Sequence, residues 1–181
     1  EEIRELVAYA ARRDVLLMPE IDVPGHCASF AQGYGDVFGT DGIICQSEQS
    51  MACMEALFRE LCGMFPNSPY IHIGGDEATI SKWTECEKTL AACVDVDAYL
   101  ARERGRDELA QLLYASFIRR TAEAVLSCGR TPVVWEGFGA AVNSVIPPET
   151  VVMSWENYYQ VTPSLRDAGF RLINCSWSPL Y

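Results

Sequence analysis

The sequence predicts an α/β fold, a partial (β/α)8 TIM barrel, on three observations. Helical and strand-like periodicities alternate along the chain, the strands are short and continuously apolar, and polar or aromatic residues gather just after successive strands. Ile3, Leu6, Val7 and Ala10 fall at i, i+3, i+4 and i+7, so an amphipathic helix opens the chain and ends near Arg12-Arg13. Val15-Leu16-Leu17-Met18, closed by Pro19, reads as a strand buried on both faces. A helix with Met54, Leu57, Phe58 and Leu61 on one side precedes the strand Tyr70-Ile71-His72-Ile73. A longer helix through Leu109, Leu112, Leu113 and Phe117, continuing to about Cys128, precedes Thr131-Pro132-Val133-Val134-Trp135. Val151-Val152-Met153-Ser154-Trp155 and Phe170-Arg171-Leu172-Ile173-Asn174 complete the strands, the second reached through a short helix near residues 164–168 and a stop at Gly169.

Repeated βα units imply a parallel sheet. An open doubly wound sheet concentrates its site at one switch point, whereas a barrel draws on many strand ends. Here Glu20, Asp22 and His26, then Asp76 and Glu77, then Trp135 and Glu136, then Trp155 and Glu156, then Trp177 and Tyr181 follow five successive strands. A barrel of this type takes about 250 residues and the chain has 181. The expectation is therefore a single incomplete barrel domain over residues 1–181, a fragment of a longer chain.

Composition narrows the function. A chain that is 49% hydrophobic and 10% aromatic has the material for a packed core. Fourteen basic against 25 acidic residues give a net charge of −11, which repels nucleic acid and anionic membrane and favours a neutral or cationic ligand. No apolar run is long enough for a membrane span, and residues 1–15 are too charged for a secretion signal. The eight cysteines (27, 45, 53, 62, 86, 93, 128 and 175) form no C-x-x-C pair. With only two histidines and no H-x-H, neither a zinc site nor any other metal or cofactor is expected. Most of these cysteines read as small core residues, and no disulfide connectivity is assigned. Gly74-Gly75 is not G-x-G-x-x-G, which removes a nucleotide site. The sequence assigns no compartment and no oligomeric state.

His72-Ile73-Gly74-Gly75-Asp76-Glu77 carries the most chemistry. Two glycines at a strand end leave room for a ligand, and two carboxylates follow at once. Side chains alternate along a strand, so both acids reach one pocket only if the strand stops near Gly75. Neighbouring carboxylates cannot easily straddle a glycosidic bond, which ordinary retaining enzymes do with carboxyls about 5–5.5 Å apart. They suit a substrate-assisted division of labour, in which one acid protonates the leaving oxygen, the substrate's 2-acetamido carbonyl attacks the anomeric carbon, and the second carboxylate holds the amide N–H.

Met18-Pro19-Glu20-Ile21-Asp22-Val23-Pro24-Gly25-His26 and His72-Ile73-Gly74-Gly75-Asp76-Glu77, in this order and spacing, resemble the two signature motifs of family 20 glycoside hydrolases, the β-N-acetylhexosaminidases. The later strand ends, with Trp135, Trp155 and Ser178-Pro179-Leu180-Tyr181, resemble the same family, so the likeness covers essentially the whole chain. The resemblance implies an exo-acting hydrolase that removes terminal β-linked N-acetylhexosamine through an oxazolinium intermediate, with a carbohydrate as partner. It implies that the strands are about the third to seventh of a parent barrel. Glu77 would be the general acid/base, Asp76 would orient the acetamido group, and His26 would support Glu77. Trp135 and Trp155 would wall the acetamido pocket, and Tyr181 would donate to its carbonyl oxygen. The family's early arginine, the carboxylate backing the histidine, and the Trp and Glu of the last strand fall outside residues 1–181, so the isolated fragment is expected to be inactive.

Blander readings stand beside these. His26 could cap the Pro24-Gly25 turn, and His72 could be a satisfied core histidine. Trp83 reads as helix packing or an outer subsite, and Trp177 as structural. The mixed charge run of Arg102, Glu103, Arg104, Arg106, Asp107 and Glu108 reads as a solvated loop and helix start. The competing function is a non-catalytic N-acetylhexosamine-binding remnant, against which the intact Asp76 and Glu77 argue.

Overall fold

A computed structural model describes residues 1–93 and 105–180. The first helix is α1 (Glu2–Ala11), followed by α2 (Ala28–Phe38) and α3 (Glu48–Met64). Strand β1 (Tyr70–His72) leads through a 3-10 turn (Ile80–Glu85) and α4 (Glu87–Ala92) to α5 (Arg106–Ser127). Then come β2 (Thr131–Trp135), a second 3-10 turn (Ala140–Val145), β3 (Val151–Ser154), α6 (Thr162–Asp167), β4 (Arg171–Asn174) and α7 (Trp177–Leu180).

The four strands pair in parallel in the order β1-β2-β3-β4, with Tyr70 opposite Thr131, Val133 opposite Val151 and Val151 opposite Arg171. The order never reverses, so all strand C-termini lie along one continuous rim. Among the described residues the core is formed chiefly by α3 and α5 against the sheet. Phe58, Leu113, Phe117, Ile118, Ile71 and Val134 are all fully buried. Burying a side chain of this size contributes roughly 1.5–3 kcal/mol. Helix α3 starts on Ser47, whose side chain accepts from the Ser50 N–H at 3.1 Å and so satisfies one of the open amides of the first turn. Arg120 on α5 ties the two helices through Glu48 at 3.0 Å and Glu55 at 2.8 Å.

Three expectations need correction, and one helix is added. Residues 15–18 are not a strand: Val15, Leu16 and Met18 are 50%, 62% and 41% exposed. The pairing lies four residues further on, where the His72 N–H donates to the Pro19 carbonyl, Ile21 N–H to His72 and Val23 N–H to Ile73, with a single Glu20–His72 bridge. Among the described residues nothing covers the apolar run, whereas residues 19–23, in which Glu20 and Asp22 alternate with Pro19, Ile21 and Val23, lie along β1. Most cysteines are not core residues either. Only Cys27 and Cys62 are buried, Cys53 is exposed and the other five are half-buried. Several of them stand at helix ends, where a side chain is only partly covered: Cys86 and Cys93 flank α4 and Cys128 ends α5. Trp177 starts α7 half exposed and packs no core. Helix α2 was not expected from the sequence. Trp83, by contrast, packs as a helix residue does, fully buried, with its indole N–H on the Ile44 carbonyl at 2.8 Å and its ring 5.8 Å from that of Phe117.

Of the charge run, Arg102, Glu103 and Arg104 lie outside the described residues. Arg106 opens α5 and pairs with Glu85 at 3.0 Å on the surface. No helix of the described residues is long and apolar enough to cross a membrane.

Candidate active site

Strand β1 stops at His72, and the backbone then turns through Gly74 at φ +84° and Gly75 at φ +104°, a region open to glycine. Any side chain at 74 would collide with Asp22, and one at 75 would meet the Tyr114 hydroxyl at 2.7 Å. These turns set Asp76 and Glu77 beside one another on the rim. Tyr114, buried on α5, fixes the turn by donating to the Gly75 carbonyl at 2.6 Å. Burial holds its phenol well above the ordinary range, so it remains a donor.

His26 faces both acids. Its Nε2 lies 3.3 Å from Glu77 Oε2, 3.7 Å from Asp76 Oδ2 and 3.9 Å from Asp22 Oδ2. His26 at φ +41° and Glu77 at φ +49° are two of four non-glycine residues in the left-handed region among the described residues, so backbone strain concentrates where these side chains meet. Asp76 is largely covered, with 16% of its side chain exposed, whereas Glu77 is 60% exposed at the mouth. Asp76 turns Oδ2 toward His26, while its Oδ1 is buried and receives no hydrogen bond among the described residues.

Asp22 is one site residue to which the sequence assigns no role. It accepts the Gly75 N–H at 3.2 Å. Burial first, and then the Asp76 charge beside it, push its carboxyl from the ordinary 3.8 up to about 7. The available signal was its place four residues before His26 in the same motif. Because folding favours the protonated form, the stability Asp22 contributes is full below about pH 4 and lost as pH rises through about 7. The thermal midpoint of the native protein should therefore fall across that window relative to Asp22→Asn. Parallel midpoint curves for the two proteins would contradict the assignment.

The aromatic side of the rim comes from β2 and β3. The Trp135 indole N–H donates to Glu20 Oε1 at 2.8 Å, and Glu20 also lies 3.2 Å from His72 Nδ1. The hydrogen bond with His72 leads in holding the Glu20 carboxyl below its ordinary value. His72 is buried under the Trp135 ring, 5.1 Å between centroids, and is a satisfied core histidine that steadies the site from below. Trp135 and Trp155 meet edge to face at 6.1 Å.

A second residue without an assigned role, Glu136, is fully buried. It gathers the N–H groups of Asn157 at 2.9 Å, Tyr159 at 2.7 Å and Gln160 at 3.0 Å, while its carbonyl accepts from the Trp155 indole at 3.2 Å. It thereby holds the loop after β3 and with it the Trp155 ring. Tyr181 lies outside the described residues. Asp22, His26 and Asp76 bring ligand atoms within 4.8 Å of one another, a spacing that three ligands of a divalent cation would also have.

A parallel α/β sheet carrying a carboxylate pair, a histidine and two indoles on one rim defines an α/β protein with its site at the strand C-termini. The model of the glycosyl hydrolase family 20 catalytic domain matches residues 1–181, and the chain belongs to that family. It is 30% identical to a beta-hexosaminidase of Akkermansia muciniphila over 97% of its own length and 36% of the relative's. To the beta subunit of an Entamoeba histolytica beta-hexosaminidase it is 28% identical, over 94% and 31% of the two chains. Among solved structures, a beta-N-acetylhexosaminidase superposes with a TM-score of 0.76 at 26% identity, covering 99% of this chain and 39% of that one. The chain thus spans about a third of the length of these relatives.

Proposed function

We propose that this domain belongs to an enzyme that removes terminal β-linked N-acetylhexosamine with retention, the substrate's own acetamido group acting as nucleophile. The observation that carries the reading is the division between the two carboxylates. Asp76 offers a buried oxygen with no donor among the described residues, suited to an amide N–H, while Glu77 stands exposed beside His26, where it can reach a leaving oxygen. Glu77 gives its proton to the glycosidic oxygen as the acetamido carbonyl oxygen closes on the anomeric carbon. Asp76 holds the amide N–H and balances the positive charge of the oxazolinium. Water, deprotonated by Glu77, then opens the ring. His26 holds Glu77 in place, and Trp135 and Trp155 enclose the acetamido methyl, with Tyr181 donating to its carbonyl.

The sheet supports an arc of a (β/α)8 barrel, about strands three to seven, with residues 1–181 forming one incomplete catalytic domain. Its strand order has no switch point, and both flanks expose apolar side chains, Leu16 and Met18 on one and Ile173 on the other. On this reading residues 1–181 alone are inactive, because groups that grip the sugar lie elsewhere.

Proton NMR of the full-length enzyme acting on an aryl β-N-acetylglucosaminide should show the β-anomer released first, and a thiazoline mimic of the cyclised intermediate should inhibit competitively. A chelator should leave the rate unchanged. Release of the α-anomer, or chelator inactivation reversed by a divalent cation, would refute the reading, the latter in favour of a metal on Asp22, His26 and Asp76.

A further inference from the structure

The segment linking α2 to α3 braces the site from outside. The Ile44 N–H donates to the Pro24 carbonyl at 3.0 Å, and the Ile44 carbonyl accepts from the Trp83 indole. One residue thus joins the turn ahead of His26 to the short helix that follows Glu77. Two residues on, the Gln46 N–H donates to the Thr89 hydroxyl at 3.1 Å on α4. Between these contacts Cys45 Sγ lies 3.7 Å from Cys86 Sγ, although the two are 41 residues apart in sequence. Both are half-buried, so a small reagent can reach them.

We propose that Cys45 and Cys86 form a thiol–disulfide pair that locks this brace when oxidised by a small-molecule disulfide of the glutathione type. Closing from 3.7 Å to a bond of about 2.05 Å asks for a shared movement of roughly 1.7 Å, within reach of side-chain rotation and a small loop adjustment. Cys86 is the attacking group. Burial pushes its thiol up, but hydrogen bonds with the Thr89 hydroxyl and amide, and then with Cys45 and the Lys88 amide, outweigh this and leave it below the ordinary thiol value. The Cys86 thiolate attacks one sulfur of the reagent and expels a thiolate, forming a mixed disulfide. The Cys45 thiolate, its proton released to solvent, then attacks the Cys86 sulfur and expels the second. Two electrons pass from the cysteines to the reagent, which leaves as two thiols carrying two protons.

Cys62 on α3 and Cys128 at the end of α5 share a hydrogen bond too, but burial pushes Cys62 up to about 12. Cys62 is also buried where Cys45 and Cys86 are both half-buried, so the reagent reaches this pair less readily and it stays reduced under the same treatment.

The test incubates the full-length native protein with oxidised glutathione, blocks remaining thiols with N-ethylmaleimide, and maps disulfides by mass spectrometry after proteolysis. The expected result is a Cys45–Cys86 link with Cys62 and Cys128 alkylated. Against Cys45→Ser/Cys86→Ser, the oxidised native protein should melt about 5 to 10 °C higher relative to its reduced form. Cys45→Ser alone should hold glutathione on Cys86. Recovery of Cys45 and Cys86 both alkylated, a link from either to another cysteine, or a Cys62–Cys128 link in their place would overturn the proposal, and this mapping needs no variant to fold.

Discussion

Glu77→Gln in the full-length enzyme is expected to lower kcat/KM about 10²–10⁴-fold on glycosides with poor leaving groups. The amide matches the carboxyl in shape and still faces His26, which lies 3.3 Å from Glu77 Oε2, but it has no proton to give to a departing alkoxide. For a nitrophenolate, which leaves without assistance, the loss should shrink and pass to the second step, where the proposed mechanism uses Glu77 as base. A series of aryl glycosides of graded leaving-group acidity measures this directly. A loss of equal size across the series would mean that Glu77 is not the acid.

Asp76→Asn should cost about 10²–10³-fold in kcat, the scale for removing one preorganised electrostatic group, and the loss should be the same for every leaving group. In the proposed mechanism the charge at 76 stabilises the forming oxazolinium rather than the departing oxygen, and its buried Oδ1 receives no hydrogen bond among the described residues. Asn also removes the charge that helps raise Asp22, so the Asp22 carboxyl should titrate below about 7 in this variant. A leaving-group profile for Asp76→Asn that matches that of Glu77→Gln would show the two roles to be wrongly divided.

The regular elements were legible because their periods are strong. The Met54, Leu57, Phe58, Leu61 stripe and the continuous runs at β2 and β3 leave little choice. Residues 15–18 misled for the same reason: an apolar run announces burial, but which backbone pairs with β1 depends on a neighbour that the run itself does not specify. Helix α2 carries Gly33 and Gly35 and kinks at Tyr34, so it lacks a readable period. Within the site, the motifs placed Asp76, Glu77 and His26, and the structure brings them together. Asp22 and Glu136 escaped because their importance is tertiary. Asp22 acts by lying over the glycine turn, and Glu136 by accepting three N–H groups from a loop more than twenty residues away. Neither arrangement leaves a pattern along the chain.

If the substrate supplies its own nucleophile, the full-length enzyme should distinguish an aryl β-N-acetylglucosaminide sharply from the matching β-glucoside. The two sugars differ only in the acetamido group at the second carbon, and on the proposed mechanism neither Asp76 nor Glu77 attacks the anomeric carbon. Hydrolysis of the first should be steady, and that of the second should not rise above background. Comparable rates on both would mean that a protein group at this rim is the nucleophile instead.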